Sequence, residues 1–250
     1  MMRSRLMQQL SFMVLTFVFC CSLAVQAQSR PIIADLSLRT IEIDSSFNGI
    51  DMLLFGARNE AGDIVIVVRG PKRDYTVRKK ERIGGIWINR EHVEFTDTES
   101  FYSIASSRPI EDIQNENLLS ALGIGKKNLI STEDLSENEK HFRQALLDFQ
   151  TQKNLYPTEI GTVSFIGDTL FRSILHFPEN ITRGTYTAEI YLIRNGELTA
   201  MQSTPVLTYK KGFDAYVYDL AYNYPALYGL LAIFLALLAG WIAGIVFKKT

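Results

Sequence analysis

The sequence predicts a mainly β fold: an Ig-like β-sandwich ectodomain with a helical insertion, carried on one C-terminal transmembrane helix. Three observations lead there. Short apolar, β-branched and aromatic runs recur between turn residues on either side of the chain's middle. The stretch from about 110 to 156 changes to helical spacing. Residues 228–247 contain no charge at all, and a helix of that length spans about 30 Å, the thickness of the hydrocarbon core.

The first 27 residues have the form of a signal peptide. Arg3 and Arg5 start it, residues 10–25 form an apolar run, and Val25-Gln26-Ala27 offers small side chains for cleavage after Ala27. An uncleaved signal anchor is the alternative. Cys20 and Cys21 are the only cysteines of the chain and both lie in this leader. The remainder therefore can form no disulfide, no thiolate metal site and no thiol nucleophile. Arg3 and Arg5 are also the leader's only charges, so the 27 Asp and Glu against 26 Lys and Arg leave a mildly acidic remainder. That balance gives no sign of a general nucleic-acid or anionic-membrane binder.

Residues 28–212 are expected to form the domain outside the cytoplasm. Residues 32–43 alternate loosely, with Ile33, Leu36, Leu38, Ile41 and Ile43 apolar. Residues 50–57 and 64–68 are strongly apolar and joined by Asn59-Glu60-Ala61-Gly62-Asp63, which predicts a hairpin. Residues 75–77, 85–89 and 101–106 read as further strands. Leu118, Leu119 and Leu122 give a short helix stopped by Gly123. Ser136-Glu137-Asn138-Glu139 is a capping box, followed by Phe142, Ala145, Leu146 and Phe149 at the spacing of one buried helix face. Residues 162–166, 170–177, 186–194 and 198–209 return to strands, the last two joined by Asn195-Gly196, a strong type I′ hairpin signal. One sandwich is the reading adopted; two small β-domains around a helical hinge are the alternative.

A juxtamembrane segment, 213–227, leads to the span at 228–247 and a tail at 248–250. Tyr216, Tyr218, Tyr222, Tyr224 and Tyr228 place amphipathic rings where a headgroup layer belongs, and Pro225 is suited to a helix start. With the N-terminal side exported, the domain is expected in the periplasm and Lys248-Lys249 in the cytoplasm, across the inner membrane. Ala232, Ala236, Gly240 and Gly244 recur every four residues, a spacing that lets another helix approach closely. Docking on a second copy or on a multi-span partner is one reading; chance enrichment in a span is the other.

No catalytic set stands out. His92, His141 and His176 lack metal-ligand spacing, and no phosphate loop or nucleophile elbow occurs, so neither a metal nor another cofactor is expected. The densest feature is basic: Lys72, Arg73, Arg78, Lys79, Lys80 and Arg82, between Gly70-Pro71 and Gly84-Gly85, on what reads as an exposed hairpin. With Arg108, after Ser106-Ser107, these are candidate anion-binding residues, for a small oxyanion or for lipid headgroups. The plainer reading is a strand edge protected from aggregation by charge.

The segments FNGIDMLLFGA (47–57), GIWINRE (85–91) and SFYSIASSRP (100–109) resemble a family of alphaproteobacterial transmembrane proteins, and the resemblance extends over the mature chain. It implies the same architecture and supplies no catalytic residues. It also implies a neighbourhood of permeases similar to the sulfite exporter and TauE/SafE type, hence a non-enzymatic accessory role beside an anion permease. A self-sufficient structural or adhesive envelope module, and an envelope enzyme built from scattered Asp, Glu and His, stay open.

Overall fold

The computed structural model describes residues 31–113, 115–130 and 135–247. The expected signal peptide and the tail at 248–250 lie outside the described residues. Among these residues there are eleven strands: β1 (Ile32–Leu36), β2 (Thr40–Ile43), β3 (Ile50–Arg58), β4 (Asp63–Arg69), β5 (Lys72–Ile83), β6 (Ile86–Glu99), β7 (Tyr102–Ser106), β8 (Gly161–Ile166), β9 (Leu170–Phe177), β10 (Gly184–Arg194) and β11 (Glu197–Lys210). Four α-helices accompany them: α1 (Glu116–Ala121), α2 (Glu137–Gln152), α3 (Phe213–Asn223) and α4 (Pro225–Phe247).

Nine strands make one curled sheet in the order β1-β3-β9-β8-β7-β4-β10-β11-β2. It folds into two layers, β1-β3-β9-β8 against β7-β4-β10-β11-β2, joined by a two-residue parallel pairing of β7 with β8. At the opposite edge the Gln202 carboxamide on β11 takes the place of a strand, accepting from the Ala34 N–H at 2.9 Å and donating to its carbonyl at 2.6 Å. Residues 32–43 are not one strand. β1 pairs antiparallel with β3, the chain turns at Ser37–Arg39, and β2 joins the other layer parallel to β11. This four-plus-five layout, its first strand shared between layers, is that of an Ig-like sandwich.

Two local features agree. Tyr186, near the start of β10, accepts from the Thr182 N–H at 2.9 Å and donates to its carbonyl at 3.0 Å, the tyrosine corner of such sandwiches. Asn195 and Gly196 both have positive φ, 52° and 77°, as a type I′ turn requires. The predicted hairpin of residues 50–57 with 64–68 does not form: β3 pairs with β1 and β9, and β4 with β7 and β10, so the two face each other across the sandwich. Both runs need burial, and the polar loop between them crosses from one layer to the other equally well.

The core fills the space between layers with Met52, Leu54, Ile66, Phe171, Phe177, Tyr186, Ile190 and Val206. β4 is buried on both faces, Ile64 to Val68 alike. Its outer face, with Tyr191 and Ile193 of β10, is covered by the helical insertion through Ile110, Ile113, Leu119, Ile124 and Leu147. The capping box forms as predicted: the Ser136 hydroxyl accepts from the Glu139 N–H and the Glu139 carboxylate accepts from the Ser136 N–H. The buried face of α2 differs from expectation. Phe142 and Leu146 are buried, but Ala145 and Phe149 are exposed, and Arg143, Leu147 and Gln150 turn inward. The helix serves two partners at once, the sheet on one flank and the β5–β6 hairpin on the other.

Candidate functional site

Three regions matter: the hairpin that carries the predicted basic cluster, the buried polar joint under the insertion, and the membrane helix.

β5 and β6 form an antiparallel ribbon of their own. It is the outward extension of β4 and β7, because the pairing continues through the junction: the Gly70 N–H donates to the Phe101 carbonyl at 2.8 Å and the Ser100 N–H to the Pro71 carbonyl at 3.0 Å. A Cβ on Gly70 would lie 2.7 Å from the Phe101 nitrogen, so only glycine lets the strands meet there. A free two-stranded hairpin is marginal in water. The lower half of this one is supported where Tyr75, Val77, Val93 and Phe95 pack against Phe142 and Leu146 of α2. A register shift after Lys79 follows, and beyond it no helix among the described residues covers either face. The sequence shows only fragments of these strands, 75–77 and 85–89, since most of their residues are polar and both faces are partly wet.

The basic residues are distributed along this ribbon rather than gathered in a pocket. Lys72 and Arg73 lie at its base opposite Glu99 and Thr98, Arg78 opposite His92, Lys79 opposite Glu91, and Lys80 and Arg82 near the tip. Lys79 and Arg90 pair with Glu81 at 3.1 and 3.4 Å, while Arg78, Lys80 and Arg82 have no ion pair among the described residues. Arg108 is elsewhere. It binds Asp63 at 2.8 Å, at the other end of β4 from the ribbon, so it and the hairpin cations do not share one anion site.

The polar joint was not visible in the sequence. Arg69, the last residue of β4, donates to Glu189 at 2.8 Å and to the Leu122 and Gly123 carbonyls at 2.7 and 3.2 Å, the unsatisfied end of α1. Tyr191 donates to the same Glu189 oxygen at 2.7 Å, and Tyr102 receives the Gly125 N–H at 2.7 Å while donating to the Gly123 carbonyl at 3.1 Å. Burial raises the Tyr102 hydroxyl to about 12 and pushes that of Tyr191 upward too. Every polar atom named here has a partner, and the joint fixes the insertion to the sheet. Beside it lies a cleft of about 660 Å³ bordered by Tyr102, Ile110, Lys126 and Glu159. Lys126 spans part of it, donating to Thr158 at 3.0 Å and Thr151 at 3.3 Å.

The three histidines do not converge. His176 contacts Asp51 at 2.6 Å on the exposed face of β9, His92 lies on the ribbon, and His141 lies on α2. Among the described residues no group of three or more His, Cys, Asp or Glu is placed to hold a metal ion.

α3 and α4 follow β11 directly. α3 is held to the sandwich by Arg183, whose guanidinium donates to the Tyr218 hydroxyl at 3.0 Å and sits 4.7 Å over its ring. Tyr216, Tyr222 and Tyr224 are exposed around it. α4 begins at Pro225, the start to which that proline is suited, three residues before the uncharged run, and is long and apolar enough to cross a membrane. Ala232, Ala236, Gly240 and Gly244 lie along one i, i+4 row of α4, and a Cβ on Gly240 or Gly244 would meet nothing within 4 Å. Such a row is inclined to the helix axis, which suits a right-handed crossing near −40°.

No curated protein matches the sequence. The family described as "Putative transmembrane protein (Alph_Pro_TM)" matches residues 31–249, which takes in the sandwich, the ribbon, the insertion and the membrane helix. The chain therefore belongs to this family of transmembrane proteins.

Proposed function

We propose that the protein is a non-enzymatic accessory subunit of the inner membrane, its sandwich in the periplasm and its C-terminus in the cytoplasm. In this reading α4 docks on a multi-span partner. The observation that carries it is the open row of Ala232, Ala236, Gly240 and Gly244: a pure anchor needs only apolar length, whereas this row leaves a groove into which a partner backbone fits. The partner class is the one implied by the resemblance, a permease similar to the TauE/SafE type, with the sandwich placed at its outer mouth.

The test is co-purification from native membranes through a C-terminal tag after gentle solubilisation. A multi-span protein in stoichiometric amount, lost when Gly240→Leu and Gly244→Leu are introduced together, is the expected result. Recovery of the chain alone, or unchanged co-purification by the double variant, overturns the docking role of α4. The sandwich would then stand as a self-sufficient module.

A further inference from the structure

The β5–β6 ribbon ends in a feature that neither charge protection of a strand edge nor the docking of α4 explains. Ile83 and Ile86 form the last cross-strand pair, Trp87 and Ile88 follow, and these four side chains are 49, 68, 66 and 45% exposed. A strand edge guarded against aggregation carries charge in place of large apolar groups at such positions. The turn is Gly84-Gly85, both with positive φ (60° and 88°), and without side chains it makes the tip a narrow wedge. Immediately behind the apolar tip sit Arg78, Lys79, Lys80, Arg82 and Arg90 against Glu81 and Glu91. An apolar point with an indole and a cationic collar has the layering of a bilayer surface: acyl chains, interface, anionic headgroups.

The topology directs the ribbon to the membrane end of the domain. Gly184 at the start of β10 pairs with Thr208, two residues before β11 ends, and Thr187 pairs with Arg69, where β4 ends. β4 and β11 therefore finish at the same end of the sandwich, β4 continuing into the ribbon and β11 into α3 and the membrane helix. Pro71 confirms the proximity, since a Cβ on Gly184 would lie 2.8 Å from its ring. The twelve residues of β5 reach about 40 Å at 3.3 Å per residue. The eleven residues of α3, with Lys211, Gly212 and Tyr224 on either side of it, separate sandwich and span by at most about 27 Å. The tip thus reaches the bilayer surface at any ribbon tilt up to about 45° from the membrane normal, by the same rises.

We infer that the hairpin tip is a second membrane contact, with Ile83, Ile86, Trp87 and Ile88 seated in the interface of an anionic bilayer and Arg78, Lys79, Lys80, Arg82 and Arg90 on its headgroups. The contact gives the sandwich two supports on one surface and fixes its orientation, which a single helix cannot do.

Trp87 reports on this directly. The chain has two tryptophans, so Trp241→Phe leaves Trp87 as the sole fluorophore. The full chain is reconstituted in vesicles of phosphatidylcholine, or of phosphatidylcholine with phosphatidylglycerol, carrying bromine on the acyl chains. In the anionic vesicles Trp87 is expected to be quenched by bromine and shielded from aqueous acrylamide, and to be released by high salt. Replacing Lys79, Lys80 and Arg82 by Gln should weaken tip partitioning on the order of a hundredfold, at about fivefold per cation. Ile83→Ser, Ile86→Ser and Ile88→Ser together should abolish bromine quenching with the circular dichroism unchanged, because these residues are exposed in the fold. A Trp87 that stays open to acrylamide and unquenched in anionic vesicles overturns the inference. Shielding without bromine quenching, appearing only at high protein-to-lipid ratio or only in native membranes, overturns it in favour of a second copy or a protein partner respectively.

Discussion

Arg69→Met is the perturbation whose size the structure best defines. It removes the cation of a nearly enclosed pair, the side chains of Arg69 and Glu189 being 17 and 18% exposed. Glu189 would be left charged beside Tyr191, and the Leu122 and Gly123 carbonyls would lose their donor. Breaking a buried pair from one side costs about 3–5 kcal/mol, and the residual exposure places this one near the lower end, about 3 kcal/mol. For a chain of this size that is a fall of about 6–12 °C in the thermal midpoint. The assay is thermal or urea unfolding of the full chain in detergent, with hydrogen exchange followed at residues 119–125. Those amides should lose protection first, because Arg69 is one of the two side chains, with Tyr102, that hold the end of α1 to the sheet. Adding Glu189→Gln to Arg69→Met should recover about 1–2 kcal/mol, since the stranded charge disappears while the carbonyls stay unpaired. A loss below about 1 kcal/mol in the single variant, or no recovery in the double, would refute the view that this joint clamps the insertion.

Two further predictions concern stability. Glu99, at the ribbon base, has its carboxyl raised by burial, only partly offset by Arg69 and Lys72. A carboxyl raised on folding contributes stability below its unfolded pKa of about 4 and loses it as pH rises through the folded value. Glu99→Gln should therefore raise the thermal midpoint at pH 7 and lose that advantage below about pH 4; an equal gain at both pH values would point to a cause other than ionisation. Gly56→Ala should destabilise by about 3 kcal/mol, the top of the range for overpacking. Its Cβ would lie 2.5 Å from both the Ile33 carbonyl oxygen and the Phe171 ring, and the carbonyl belongs to a paired strand that cannot move aside. A urea midpoint within error of the parent would show that β1 and β3 tolerate separation there.

Features carried by neighbouring residues are legible in the amino-acid sequence itself. The uncharged run of 228–247, the Ser136–Glu139 capping box, Gly123 as a helix stop and Asn195-Gly196 as a turn each depend on hydrogen bonds or φ values within a few residues. Alternation along 186–192 likewise shows which side chains share a face, and Tyr186, Ala188, Ile190 and Leu192 are indeed buried. Which face is solvated is a different matter: Tyr191 and Ile193 on the other side are also buried, because the insertion covers them.

Strand partners depend on the whole fold. A period of two residues identifies faces and leaves the neighbour open, while loop-closure entropy grows too slowly with length to force adjacent strands together. Hence β3 and β4, joined by a short polar loop, enter different layers, and residues 32–43 divide between two. The candidate sites divide in the same way. Lys79, Lys80 and Arg82 are conspicuous as a local cluster, and so is the small-residue row of α4. That Arg108 lies at the far end of β4, that Arg69 meets Glu189 across 120 residues, and that the ribbon leaves the sandwich at the same end as the chain's continuation into α3 follow from long-range pairing. Sequence separation carries no record of such pairing, because its energy comes from burial and register between strands that meet only once the sandwich has closed.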